Sequence, residues 1–134
     1  MSNQAINPAS LYPSLQMGFS QAVKSEGKVT VHISGQVAWD KDSQLVGGDD
    51  VGAQAKQALA NLKIALKESG AQVSDLVRMR TYVVNHNPAL FEPIGQAMGE
   101  FFAGNLPPAN TWIGVQTLAL PEFLIEIEAT AVIA

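Results

Sequence analysis

The chain has 134 residues, 47% of them hydrophobic, with 12 acidic against 8 basic side chains for a net charge of −4 and no cysteine. That length and apolar share suit one compact domain with its own core and exclude a disordered chain. The absent cysteines exclude disulfides and thiolate-held metals, and scattered bases in an acidic chain argue against a nucleic-acid partner.

The chain opens without a basic segment leading into an apolar run, and no stretch approaches a membrane span. The expectation is a cytoplasmic protein with no membrane partner. Residues 1–18, rich in Pro, Ser, Asn and Gln, read as an irregular arm, and residues 19–134 as a single domain. Phe19 to Lys24 and Lys28 to Val37 read as two strands joined at Ser25-Glu26-Gly27. In the second of these, Val29, Val31, Ile33 and Val37 fall on one face, and Thr30, His32, Ser34 and Gln36 on the other.

After a loop at residues 40–48, Asp49 or Asp50 can cap a helix by accepting from orphan amides. Ala55, Ala58, Leu59, Leu62, Ala65 and Leu66 repeat at helical spacing, and Gly70 closes the helix in a left-handed conformation. Asp75 to Asn85 is rich in β-branched residues and reads as a strand. Asn87-Pro88 starts a second helix whose stripe is Leu90, Ile94, Ala97, Met98 and Phe101, with Pro93 tolerated near its start. Strands are expected at about Thr111 to Leu118 and Leu124 to Ile133. The order β-β-α-β-α-β-β gives an α+β domain with two helices on one sheet face. The opposite face is only partly polar and suggests cover by another subunit.

In the last strand Ile125, Ile127 and Ala129 share one face, and Glu126, Glu128 and Thr130 the other. Two carboxylates in so apolar a strand require water, a partner charge or a ligand. Five pieces, in order, resemble the RidA/YjgF family: Ser20 to Val23, Ile33 to Val37, Gln54 to Leu62, Pro107-Pro108-Ala109 and Ile125 to Ala129. The resemblance runs from about Phe19 to Ala131. It implies a chorismate-mutase-like fold, a homotrimer and small-ligand clefts between subunits. It also implies hydrolysis of enamines and imines to ketones and ammonia, without a cofactor.

Carried over position by position, the resemblance implies that Ser34 lies in the cleft and that Glu126 positions the attacking water. Three positions depart from the family. Phe19 replaces a tyrosine, Asn110 a substrate-binding arginine, and Trp112 a cysteine. A guanidinium grips a carboxylate through two parallel charge-assisted hydrogen bonds, whereas Asn offers a neutral amide. Affinity for a 2-imino acid is therefore expected to fall by about ten- to a hundredfold. Phe19 and Trp112 would line the cleft with aromatic surface suited to an uncharged or aromatic ligand.

Two readings stay open: a C–N hydrolase of altered specificity, and a non-catalytic ligand binder or interaction protein with a vestigial cleft. Arg80, on a strand face with Arg78 and Tyr82, is either a relocated cation for an acidic ligand or a solvated charge. Neither His32 and His86 nor Asp40-Lys41-Asp42 has metal-ligand spacing, so no metal is expected.

Overall fold

The computed structural model describes residues 3–134. Eight elements form its frame: β1 (Asn3–Ile6), β2 (Ala22–Ser25), β3 (Val29–Gln36), α1 (Val51–Glu68), β4 (Leu76–Val84), α2 (Phe91–Phe102), β5 (Ala109–Val115) and β6 (Ile125–Ile133). The main sheet has the order β3-β6-β4-β5, with β5 parallel to β4 and the other pairs antiparallel. Both helices cover one face. Leu59, Leu62 and Leu66 of α1 and Ile94, Ala97 and Met98 of α2 join Met79, Val83, Ile125, Ile127 and Ala129 in one core. The α+β architecture with two helices on one side follows the periodicities of the sequence.

Local chemistry explains the helix ends. The Asp50 carboxylate accepts from the Ala53 amide at 3.1 Å and starts α1. Gly70, at φ +79°, turns the chain out of the helix in the left-handed region. Asn87 caps not α2 itself but a 3-10 turn at Pro88–Leu90, accepting from the Ala89 amide at 2.9 Å. Helix α2 follows from Phe91, with Pro93 in its first turn.

Two expectations need correction. Residues 1–18 are not wholly irregular, because Asn3–Ile6 form a strand and Leu15–Met17 a 3-10 turn. Nor does β2 pair with β3 as a hairpin; it pairs antiparallel with β1. The Asn3 side-chain amide donates to the Val132 and Asp75 carbonyls, at 3.1 and 3.5 Å, and ties β1 to the main body. From β2 the chain crosses the end of β6 instead of folding straight back. Gly27 permits this, since a Cβ there would collide with the Ile133 carbonyl. No helix among the described residues is long and apolar enough to cross a membrane.

Candidate functional site

Strand β5 begins at Ala109, earlier than expected, so Asn110 lies inside the strand. Its register with β4 pairs Met79 with Asn110, Thr81 with Trp112 and Val83 with Gly114. Met79, Thr81 and Val83 are fully buried beneath the helices. Asn110 and Trp112 therefore point to the helix side. The Thr81 hydroxyl donates to Asn110 Oδ1 at 3.2 Å, which fixes the amide. Trp112 packs against His86 and Phe91, with ring centroids at 5.8 and 5.3 Å, and its indole N–H faces His86 Nδ1 at 3.4 Å.

Phe19 arrives at the same place through buried hydrogen bonds. The Ser14 hydroxyl donates to the Phe19 carbonyl at 2.7 Å, and Gly18 turns the chain at φ +88°. Ser20, fully buried, donates its hydroxyl to the Pro107 carbonyl at 2.6 Å and its amide to that of Pro108 at 3.0 Å. That clamp joins the loop carrying Phe19 to the turn that launches β5. Between the loop at residues 12–19, α2 and β5 opens a cleft of about 1140 Å³, and Phe19, Asn110 and Trp112 all line it. Among the described residues, Glu92 is the only charged one that lines it, and no Lys or Arg does.

Ser34 and Glu126 are elsewhere. Glu126 pairs with Tyr82 and Glu128 with Arg80 on the sheet face away from the helices. Tyr82 donates its hydroxyl to Glu128 Oε1 at 2.5 Å, and Arg80 lies 3.7 Å from Glu128 Oε2. Arg80 is thus paired with Glu128 on the open face, away from the cleft around Asn110. Burial, then the Glu128 charge, pushes the Glu126 carboxyl above its ordinary value. The Tyr82 phenol is raised chiefly by its hydrogen bond to Glu128.

A bulge in β3 between Ile33 and Gln36 brings Gly35 beneath Glu126. A Cβ on Gly35 would overlap the Glu126 carboxylate, so the carboxylate lies directly on the glycine backbone. Ser34, beside it, is exposed. Within one chain, then, Phe19, Asn110 and Trp112 come together, while Ser34 and Glu126 form a separate group across the sheet. No group of three or more His, Asp or Glu suited to a metal occurs among the described residues.

Sequence reasoning missed the two residues that hold these groups in place. Ser20 is one. The other is Gln54, fully buried, whose amide donates to the Gly48 and Glu122 carbonyls and accepts from the Leu124 amide just before β6. A polar residue on the apolar stripe of α1, next to Ala55 and Ala58, was the available signal.

Residues 11–133 match the family described as Endoribonuclease L-PSP. The chain belongs to the RidA/YjgF family. It is 34% identical to a 2-iminobutanoate/2-iminopropanoate deaminase of Dermatophagoides farinae, over 99% of both chains. Among solved structures it resembles YyfB of Yersinia pestis, a conserved Rid-family protein of unknown function. That likeness has 54% identity and a TM-score of 0.96 over 99% of this chain and 100% of the other. Rv2704 of Mycobacterium tuberculosis, of the YjgF/YER057c/UK114 family, is 30% identical, with a TM-score of 0.65 over 98% of this chain and 100% of that one.

Proposed function

We propose that this protein binds a small metabolite in clefts between the subunits of a homotrimer and hydrolyses an imine, enamine or related C–N substrate other than a 2-imino acid. The observation that carries this reading is the cation-free cleft around Asn110, in a chain whose relatives include a 2-iminobutanoate/2-iminopropanoate deaminase. Within one chain, the described residues lining the cleft offer a substrate carboxylate no guanidinium and present Glu92 instead. Binding of 2-iminopropanoate is correspondingly weak.

Glu126 supplies the chemistry. Its raised proton affinity suits a carboxylate that takes a proton from water as the oxygen attacks the C=N carbon. The C–N bond then breaks with the proton delivered to nitrogen, leaving a carbonyl compound and ammonia. Asn110 and Glu126 face opposite sides of the sheet, so a site uniting them needs two chains: the β5 edge of one against the open face of another. The partly apolar open face, where Tyr82 and Ile113 are half-buried beside the exposed Arg80 and Thr111, supports such cover.

That same separation favours a second reading, in which the cleft binds a metabolite without turnover. Hydrolysis of freshly generated 2-iminopropanoate by wild type, Asn110→Arg and Glu126→Gln, each against an uncatalysed blank, tests the first. Wild type should barely exceed the blank. Robust wild-type turnover would overturn the assigned specificity. With a neutral imine, loss of turnover in Glu126→Gln supports hydrolysis, and no turnover by either protein supports the pure binder.

A further inference from the structure

The cleft on the helix side has features that neither the fold nor the core requires. Gly95 and Gly99 sit one turn apart inside α2 and line it. A Cβ at either position would meet nothing within 4 Å. Glycine in a helix interior costs about 0.5–1 kcal/mol relative to alanine, and packing within the chain gives nothing back at these two sites. Their effect is to bare a flat strip of helix backbone on the cleft wall.

Around that strip stand aromatic rings. Phe91 and Trp112, with centroids 5.3 Å apart, and Tyr12 and Phe19, with centroids 6.4 Å apart, line the same cleft. Tyr12 and Phe91 are 58% and 52% exposed, an unusual cost for large apolar side chains that are neighbours in one depression. The Trp112 N–H is directed at His86, so the indole offers the cleft a face.

One polar group remains to be satisfied. Asn110 Oδ1 is engaged by the fully buried Thr81 hydroxyl, which leaves the amide nitrogen with no hydrogen-bond partner among the described residues. A fixed NH2 seeks an acceptor. With Glu92 the only lining charge that the described residues of one chain supply, an anionic acceptor is disfavoured.

Resting on the reading of this cleft as a ligand site, we propose that it takes an uncharged aromatic molecule bearing a hydrogen-bond acceptor, such as an aromatic ketone, amide or imine. The ring lies on the Gly95–Gly99 strip between the aromatic pairs, and the acceptor meets Asn110 Nδ2. If the protein hydrolyses such a ligand, an aromatic imine would enter and an aromatic ketone would leave, both accepting from the same amide.

The test is titration of the full chain with acetophenone, benzamide, benzoate and benzylamine. Trp112 fluorescence in a Trp39→Phe background is the readout, and saturation-transfer NMR on the unaltered protein is the check. Acetophenone and benzamide should bind saturably and about tenfold or more tighter than benzoate. Asn110→Asp keeps the acceptor for Thr81 but replaces the NH2 by an anionic oxygen, and should invert the preference toward benzylamine. Gly99→Leu should abolish binding of all four, while Gly99→Ala weakens it less and raises the melting temperature.

Equal binding of benzoate and benzamide, or indifference to Asn110→Asp, overturns the proposal. So does a cleft that binds no probe and in which Gly99→Leu instead changes the oligomeric state, because its occupant is then a second copy of the chain. Probe binding without turnover of any imine would sink the hydrolase reading alone. Turnover of imines without probe binding would sink this one alone.

Discussion

The two sides of the sheet are built by different physics. On the helix side, Phe19, Asn110 and Trp112 are placed by buried, neutral hydrogen bonds through Ser14, Ser20 and Thr81. On the open side, Glu128 is placed by the half-exposed Arg80 charge and the Tyr82 phenol, and Glu126 lies on the bare backbone of Gly35. Buried neutral bonds leave costly orphans when cut, whereas exposed ion pairs contribute little. The group around Asn110 is therefore rigid and intolerant of change, and the carboxylates on the open face are held more loosely.

Substitutions that cut one network at a time sharpen this contrast. The largest effect is expected at Gln54, which reaches from α1 to the residue preceding β6. Gln54→Leu leaves two carbonyls and an amide without partners. Urea unfolding should show a loss of about 3 kcal/mol or more, and a loss under 1 kcal/mol would mean that water replaces the side chain. Next comes Ser20→Ala, which removes the donor to Pro107. It should cost about 1–3 kcal/mol and weaken ligand binding in the cleft, since the turn before Asn110 loosens.

Arg80→Ala provides the contrast on the open side. The Arg80–Glu128 pair has side chains 46% and 37% exposed, so its removal should cost at most about 1 kcal/mol. Equal costs for Ser20→Ala and Arg80→Ala would erase the distinction drawn between the two sides. The subtlest effect concerns pH. The folded state holds the Glu126 proton more tightly than the unfolded chain does. Its contribution to stability is therefore present at low pH and lost as pH rises through 4.5 toward the elevated folded value. Glu126→Gln removes that loss. The stability of the variant relative to wild type should climb over that interval in unfolding curves taken from pH 4 to pH 8, and a flat difference would show that Glu126 titrates normally.

Much of this architecture was legible in the residues. The Ala55-to-Leu66 stripe, Gly70 and the alternation around Glu126 each follow from a local rule and stand where their patterns placed them, and of the two candidate caps, Asp49 and Asp50, the structure uses Asp50. Strand β1 was not legible. Four residues give too short a pattern, and its anchor is the Asn3 amide reaching carbonyls more than seventy residues away. The site was half legible. Spacing places Asn110 and Trp112 on a common face, but only the register with β4 decides which face that is. Likewise nothing local distinguishes the buried Ser20 from an ordinary surface polar residue, and Gln54 is marked only by its place on the apolar stripe of α1.

The bare backbone at Gly35 gives the open face a final property. Because the Glu126 carboxylate rests where a side chain would otherwise be, its proton affinity depends on a methyl group that is absent from another strand. Adding that methyl through Gly35→Ala would lift the carboxylate into water and return it toward ordinary acidity without touching the carboxylate itself. The proton affinity of Glu126 can thus be tuned from a neighbouring strand, by volume rather than by charge.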